Sequence, residues 1–307
     1  MKRWFALAIL GCVSLAAQTV HFTLISSLEA PHDLVKLHGT RAYLAGGKVL
    51  TLFDLSSPAS PRREGQFEFA DRIWGFNVVG SLVYVADDLA GLAILDVSDP
   101  AKPRLRGTLK THGQAKAVVI SGTKALLVDH MDGLALVDVS DVAKPTPAGS
   151  LFLDGYARDV ALSGSLAYAV DSPNGFYAVD LSKPGPLDFA GSIQSANGQT
   201  VAVSGSIACV PGRGGLQVFD VSNPSAPVLA ATLKTPGAPQ RVTIRGKRAY
   251  LADGREGLQV VDLSDPSKPA IIGMYKTASP ARDVAVGEGL VLVATVNEGT
   301  VVLREMP

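Results

Sequence analysis

From about residue 20 onward, short apolar runs alternate with clusters of Gly, Pro, Asn and Asp. The stretch from Arg241 to Tyr275 shows the pattern in one unit. Arg241-Val242-Thr243-Ile244 reads as a first strand (A), ending at a turn around Gly246, and Ala249-Tyr250-Leu251-Ala252 as a second (B). Gly257 to Leu263 reads as a third (C), and Ala270 to Tyr275, after Pro269, as a fourth (D). β-Branched and apolar residues fill these runs and turn formers bound them, which is the signature of short strands. Beyond the first residues no segment keeps apolar positions three and four apart, so helix is expected to be nearly absent.

The unit repeats. Asp-(Leu/Val)-Ser recurs with its aspartate at Asp54, Asp96, Asp138, Asp180, Asp220 and Asp262, in steps of 42, 42, 42, 40 and 42 residues. Each copy follows an apolar run and leads into a proline-bearing turn, as in Ser98-Asp99-Pro100-Ala101-Lys102-Pro103. Four strands every 42 residues predict an all-β, seven-bladed β-propeller with four-stranded blades. The count of seven comes from the ends. Residues 281–303 supply strands A, B and C at Arg282–Val286, Val291–Ala294 and Thr300–Leu303, and then the chain runs out. Residues 20–28 precede the first strand A and resemble the D strands Leu105–Leu109 and Val228–Leu233. The N-terminal strand is therefore expected to complete the final blade and close the ring, leaving no free terminal sheet edge there.

The segments Leu-Ala-Ile-Leu-Asp-Val-Ser-Asp-Pro at 92–100 and Leu-Gln-Val-Val-Asp-Leu-Ser-Asp-Pro at 258–266 resemble the LVIVD repeat of bacterial and archaeal surface proteins. The resemblance runs from Pro31 to Leu303 and implies a propeller in an extracytoplasmic setting. It implies little about activity. The fourth copy departs at Ser182-Lys183-Pro184-Gly185-Pro186, and the seventh lacks the Asp-Val-Ser signature.

The first 17 residues differ in kind. Lys2 and Arg3 precede an uncharged run from Trp4 to Leu15, and the small residues Ser14, Ala16 and Ala17 follow or end it. This is the layout of a secretory signal peptide, cleaved after Ala16 or Ala17, and the run is too short to span a bilayer. Residues 18–307 then form a single domain, expected to be a monomer located in the periplasm, at the cell surface or in the medium. A lipoprotein reading through Ile9-Leu10-Gly11-Cys12 stands beside it, with Cys12 very early for that role. Cys209 is left without a disulfide partner once the leader is gone, and a lone thiol in an apolar strand reads as a small core residue.

Lys plus Arg and Asp plus Glu each total 28 in a chain of 307 residues, so there is no basic surplus to hold nucleic acid or anionic lipid. The chain has no Gly-x-Ser-x-Gly elbow, His-Glu-x-x-His, EF-hand loop or paired-cysteine zinc motif, so no catalytic residue, metal or cofactor is assigned. The recurring Asp-Val-Ser aspartates and the tyrosines at 43, 84, 168 and 250 read as structural: turn formers and inter-blade packing respectively.

In a propeller the B–C and D–A connections share one face, and the A–B and C–D connections share the other. The proline turns fall on the second. The first collects what varies, and variable loops on a rigid scaffold are where binding sits. Two groups are candidates there. Asp87, Asp129, Asp171 and Asp253 close strand B in four blades, either as an acidic rim or as turn caps. Asp33, Trp74, Lys116, Arg158, Asp159, Arg241, Arg282 and Asp283 stand at the starts of the A strands, which line the axis. Mixed Arg, Asp and Trp suit a carboxylate-bearing or sugar-like ligand through bidentate pairing and stacking; mutual pairing across blades is the alternative. His130, within Asp129-His130-Met131-Asp132, completes the set.

Three functional readings remain. The first is a non-catalytic binding scaffold for an unknown protein, small molecule or saccharide. The second is a hydrolase or lyase acting on an extracellular saccharide or ester, which requires Asp129, His130 and Asp159 to share one cavity. The third is a structural protein packing through apolar outer strands.

Overall fold

The computed structural model describes residues 19–29, 32–182, 186–194 and 198–306. The leader with Cys12, Pro31 and Pro307, and Lys183 to Gly185 of the divergent fourth turn, lie outside the described residues. Seven four-stranded antiparallel sheets make up the fold, and no helix is found among the described residues.

Each blade contributes its strands in the order A, B, C, D from the axis outward. Blade 1 uses Leu34–His38, Arg41–Gly46, Val49–Asp54 and Arg62–Glu68, and blade 2 Gly75–Val79, Leu82–Asp87, Gly91–Asp96 and Arg104–Leu109. Blade 3 uses Ala115–Ser121, Lys124–Asp129, Leu134–Asp138 and Thr146–Leu151, and blade 4 Tyr156–Ser163, Leu166–Ser172, Gly175–Asp180 and Phe189–Ile193. Blade 5 uses Ala202–Ser204, Ile207–Gly212, Gly215–Asp220 and Val228–Leu233, and blade 6 Arg241–Arg245, Arg248–Ala252, Leu258–Asp262 and Ala270–Tyr275. Blade 7 takes A, B and C from Ala281–Gly287, Leu290–Thr295 and Thr300–Met306, and its D strand is His21–Leu28. The closure expected from the leftover pieces is present, with His21 opposite Met306 and Leu28 opposite Thr300.

The core is divided among the blade junctions. Seven apolar clusters each draw from two neighbouring blades; one, for example, combines Tyr168, Val170 and Phe176 of blade 4 with Ala208, Val210 and Phe219 of blade 5. Phe176 stacks on Phe219 at 5.0 Å and on Tyr168 at 5.5 Å. Each fully buried side chain of this size contributes roughly 1.5–3 kcal/mol, so the junctions supply the cohesion that disulfides would otherwise provide. The expected inter-blade tyrosines, Tyr43, Tyr84, Tyr168 and Tyr250, are all buried in such clusters. Cys209 is fully buried at the junction of blades 5 and 6, and burial pushes its thiol up to about 12.

On the face of the C–D turns, one local bond recurs. The aspartate ending strand C accepts the backbone N–H of the serine two residues on, at 2.8–2.9 Å, from Asp54 and Ser56 to Asp262 and Ser264, in all six copies. In blades 1, 2, 3 and 5 the turn so shaped docks on the preceding blade. Every D strand carries a β-bulge, followed at the same step by Ser26, Gly65, Gly107, Gly149, Gly191, Ala231 and Gly273. A Cβ on Gly65 would overlap the carbonyl oxygen of Pro100, from the turn of the next blade. In blade 7 the series has a serine instead, and Ser26 Oγ donates to the Pro58 carbonyl at 2.6 Å. Blade 7 has no C–D turn of its own to offer blade 6. Val20 takes that place: its N–H donates to the Ile272 carbonyl at 2.7 Å, beside Gly273. The described chain thus enters at Val20 and leaves at Met306 on this same face.

Candidate functional site

The opposite face holds a cavity of about 350 Å³ at the mouth of the central channel. Every blade reaches it, through Asp33, Trp74, Lys116, Arg158, Gln199, Arg241 and Arg282, each standing at or just before the start of a strand A. Below it a second cavity of about 380 Å³ runs along the A strands and includes Lys36, Asp159, Thr243 and Asp283.

A local device aims three of the basic residues. Strands A of blades 3, 4 and 7 each carry a bulge, and the residue left unpaired is Lys116, Arg158 or Arg282. The preceding blade holds each bulge open. Asp88, His130 and Gly254 take the left-handed backbone conformation, with φ of 39°, 31° and 57°. Their carbonyls accept the N–H of Ala115, Ala157 and Ala281, the residue just before each bulge, at 3.0, 3.0 and 2.8 Å. A bulge places an extra residue against one partner and re-aims its side chain, a device common beside functional sites. The sequence behind it is Ala-basic-(Ala/Asp)-Val, at 115–118, 157–160 and 281–284.

The aspartates that follow two of these residues serve the ring. Asp159 Oδ2 accepts the Val201 N–H at 3.0 Å and Asp283 Oδ2 the Val35 N–H at 2.9 Å, each across to the next blade. Burial pushes the Asp159 carboxyl up, against the pull of the Arg241 charge. Arg241 itself crosses the axis from blade 6 to blade 2, where Nη2 lies 3.4 Å from the Trp74 carbonyl. Because it borders both cavities, it forms the floor of the mouth and the roof of the channel.

The four strand-B aspartates form no acidic rim. Asp87, Asp129, Asp171 and Asp253 are at most 2% exposed and line neither cavity. They back into the D–A connection of their own blade. Asp87 accepts the Asp71 N–H at 2.9 Å; Asp129 accepts Thr111 Oγ1 and the Gly113 N–H, both at 3.1 Å; Asp253 accepts Thr235 Oγ1 and the Gly237 N–H, both at 2.9 Å. Asp171 sits against Gly155 in the equivalent place. Burial raises the carboxyls of Asp87, Asp171 and Asp253, and the N–H groups facing them oppose that shift. A carboxylate closing two turns at once is the capping reading in an extended form.

His130 reaches the mouth. Its ring lies 5.3 Å from that of Tyr156 and its Nδ1 is 3.3 Å from the Ala157 carbonyl, so it is held by the start of blade 4. Asp129 points away from it and Asp159 lies in the lower cavity, so the three groups needed for acid–base chemistry do not share one space. No group of three metal-ligating side chains is found among the described residues.

The ion pairs at the mouth are uneven. Arg72 pairs with Asp33 at 2.8 Å, and Lys116 with Asp88 at 3.5 Å. Both cations also lie near the Trp74 indole, at 4.6 and 3.9 Å from its centroid, so the ring is already engaged. Sequence reasoning passes over Asp88. Its only signal is that it follows Asp87 where His130 follows Asp129 and Gly254 follows Asp253.

Comparison with known proteins agrees with this architecture. The LVIVD repeat model matches residues 72–111, 112–151, 154–194, 196–235 and 236–277, which correspond to blades 2 to 6. No curated protein sequence matches the chain significantly. Among solved structures, the Cps50 (Swd1) β-propeller domain of Myceliophteria thermophila is 11% identical, with a TM-score of 0.77 over 94% of this chain and 100% of that one. A chain of the mitotic checkpoint complex is 11% identical, with a TM-score of 0.73 over 99% and 96%. The computationally designed Ika8 protein is 6% identical, with a TM-score of 0.70 over 92% and 98%. Identities this low carry the ring architecture and nothing of activity.

Proposed function

The chain belongs to the LVIVD-repeat family, and from that premise we propose that it is a non-catalytic binding scaffold acting outside the cytoplasm, with the channel mouth as its capture site. One observation carries the reading. The turn face uses the same Asp-to-Ser bond in copy after copy, whereas the mouth gathers five kinds of side chain, Asp, Trp, Lys, Gln and Arg, from the seven blades around one cavity. Residues that repeat answer to the repeat's own structural needs; residues that differ at equivalent, solvent-facing positions are available for recognition. The positive start and short apolar run at residues 2–15 support export.

The test is a capture experiment from envelope extracts with the purified protein, set beside a variant combining Trp74→Ala, Arg158→Ala and Arg282→Ala. The variant is expected to lose the captured partner or ligand while its melting temperature stays close to the parent's. Retained capture would place the binding surface elsewhere. Cell fractionation with N-terminal sequencing of the product tests the location, and recovery of an unprocessed chain in the cytoplasm would refute it.

A further inference from the structure

We propose that the mouth is a site for a small, multiply charged oxyanion, bearing carboxylate or phosphate groups, held between Arg158 and Arg282. This rests on the mouth being the capture site and adds the chemistry it selects.

Charge is the first support. Five cationic side chains, Arg72, Lys116, Arg158, Arg241 and Arg282, line the cavity against a single carboxylate, Asp33. Asp33 is taken by Arg72, Asp88 by Lys116, and Arg241 lies toward Asp159 and the Trp74 carbonyl. Among the described residues no carboxylate stands within ion-pair distance of Arg158 or Arg282. Two guanidinium groups, from blades 4 and 7, therefore share one small cavity without an ion-paired carboxylate, and Asp171, whose charge acts on Arg158, lies outside the cavity lining. Like charges so placed repel, and an anion between them removes that cost.

Unmatched donors are the second support, independent of charge. Trp74 Nε1 and Arg158 Nε are both buried with no acceptor in reach, so an anion in the cavity meets them only after a small turn of the side chain brings each N–H to the cavity surface. Buried N–H groups are almost always satisfied, and one left over calls for a missing acceptor. Both residues line the same cavity. A planar or tetrahedral oxyanion offers several acceptor oxygens at once and matches the guanidinium fork bidentately. Neutral sugar hydroxyls accept hydrogen bonds but cancel no charge. The Arg241 floor keeps the anion at the mouth, above the lower cavity that contains Asp159 and Asp283.

The experiment is calorimetric titration of the purified protein with citrate, with inorganic pyrophosphate and with glucose, at low and at raised ionic strength. Saturable binding of citrate or of pyrophosphate, weakened by salt and without matching glucose binding, is the expected result; which anion binds tells carboxylate from phosphate. Arg158→Gln and Arg282→Gln should each weaken binding about tenfold or more, as loss of a charge-assisted bond does. Trp74→Phe, which keeps the ring and removes the N–H, should weaken it about three- to tenfold. Each variant is checked by thermal melting, and Lys268→Gln, on a distant turn, should bind like the parent. The proposal is overturned if neither anion binds, if glucose binds equally well, or if the two glutamine variants keep parental affinity. Should capture from extracts depend on the mouth while both anions fail, the oxyanion chemistry falls and the capture site stands.

Discussion

The two faces of this ring are built from the same repeat and put it to opposite uses. On the turn face, six aspartates make the same bond to a serine two residues on, and the turns dock on small residues of the neighbouring D strands. On the mouth face, equivalent positions hold Asp33, Trp74, Lys116, Arg158, Gln199, Gln240 and Arg282. Repetition marks where the blades hold one another, and departure from repetition marks where the ring meets something else. The contrast predicts that stability and binding can be changed separately.

The largest expected effect is on the turn face. Gly65→Val places a branched side chain against the Pro100 carbonyl and should cost about 3 kcal/mol or more in chemical denaturation, as steric overpacking does. Anion titration at the mouth, below the melting temperature, should be unchanged. Loss of binding in this variant would mean that the two faces are coupled.

Acid should separate the faces by pH. His32, on the mouth side at the entry to blade 1, is buried, and burial lowers it from 6.5 to about 4, with the Asp33 charge opposing. Its unfolded form takes up a proton first, so its contribution is complete above pH 6.5 and is lost as pH falls toward 4, by about 2–3 kcal/mol. His32→Gln should flatten the stability profile over that interval. The turn aspartates behave differently. Bonding to Ser98 N–H holds Asp96 below its ordinary 3.8. Its stabilisation is present above that value and is lost only as pH drops through the lower folded-state pKa. A midpoint for Asp96-dependent loss above pH 5 would contradict this.

Removing one turn aspartate is a smaller change. Asp96→Ala deletes the bond to the Ser98 N–H and should cost about 1 kcal/mol, read from the denaturation midpoint, with mouth binding intact. Smallest of all for stability is Arg158→Gln with Arg282→Gln, expected within about 0.5 kcal/mol of the parent. A large destabilisation there would show that the mouth arginines serve the fold.

The ring was readable because its determinants are local or periodic. The Asp54-to-Ser56 bond spans two residues and returns at a fixed step, and the unpaired ends at residues 20–28 and 281–303 could close only on each other. The site was legible as a set of residues and less so as geometry. Ala-Arg-Asp-Val at 157–160 looks like regular strand, and its bulge goes with a contact far off in sequence, the His130 carbonyl of the preceding blade accepting the Ala157 N–H. Asp253 before Gly254 suggests a turn cap, but its partners Thr235 and Gly237 lie 18 and 16 residues back, a separation that turn chemistry does not reveal. The small residues after the D-strand bulges keep the period of the aspartates. Their purpose shows only when Pro100 of blade 2 is seen on Gly65 of blade 1.

The first strand begins at His21 and the last ends at Met306, both on the side of the proline turns. The proline-turn face is the far side of the ring from the arginine-lined opening. A copy immobilised by its tail on a sensor chip would therefore stand with that opening toward the flow.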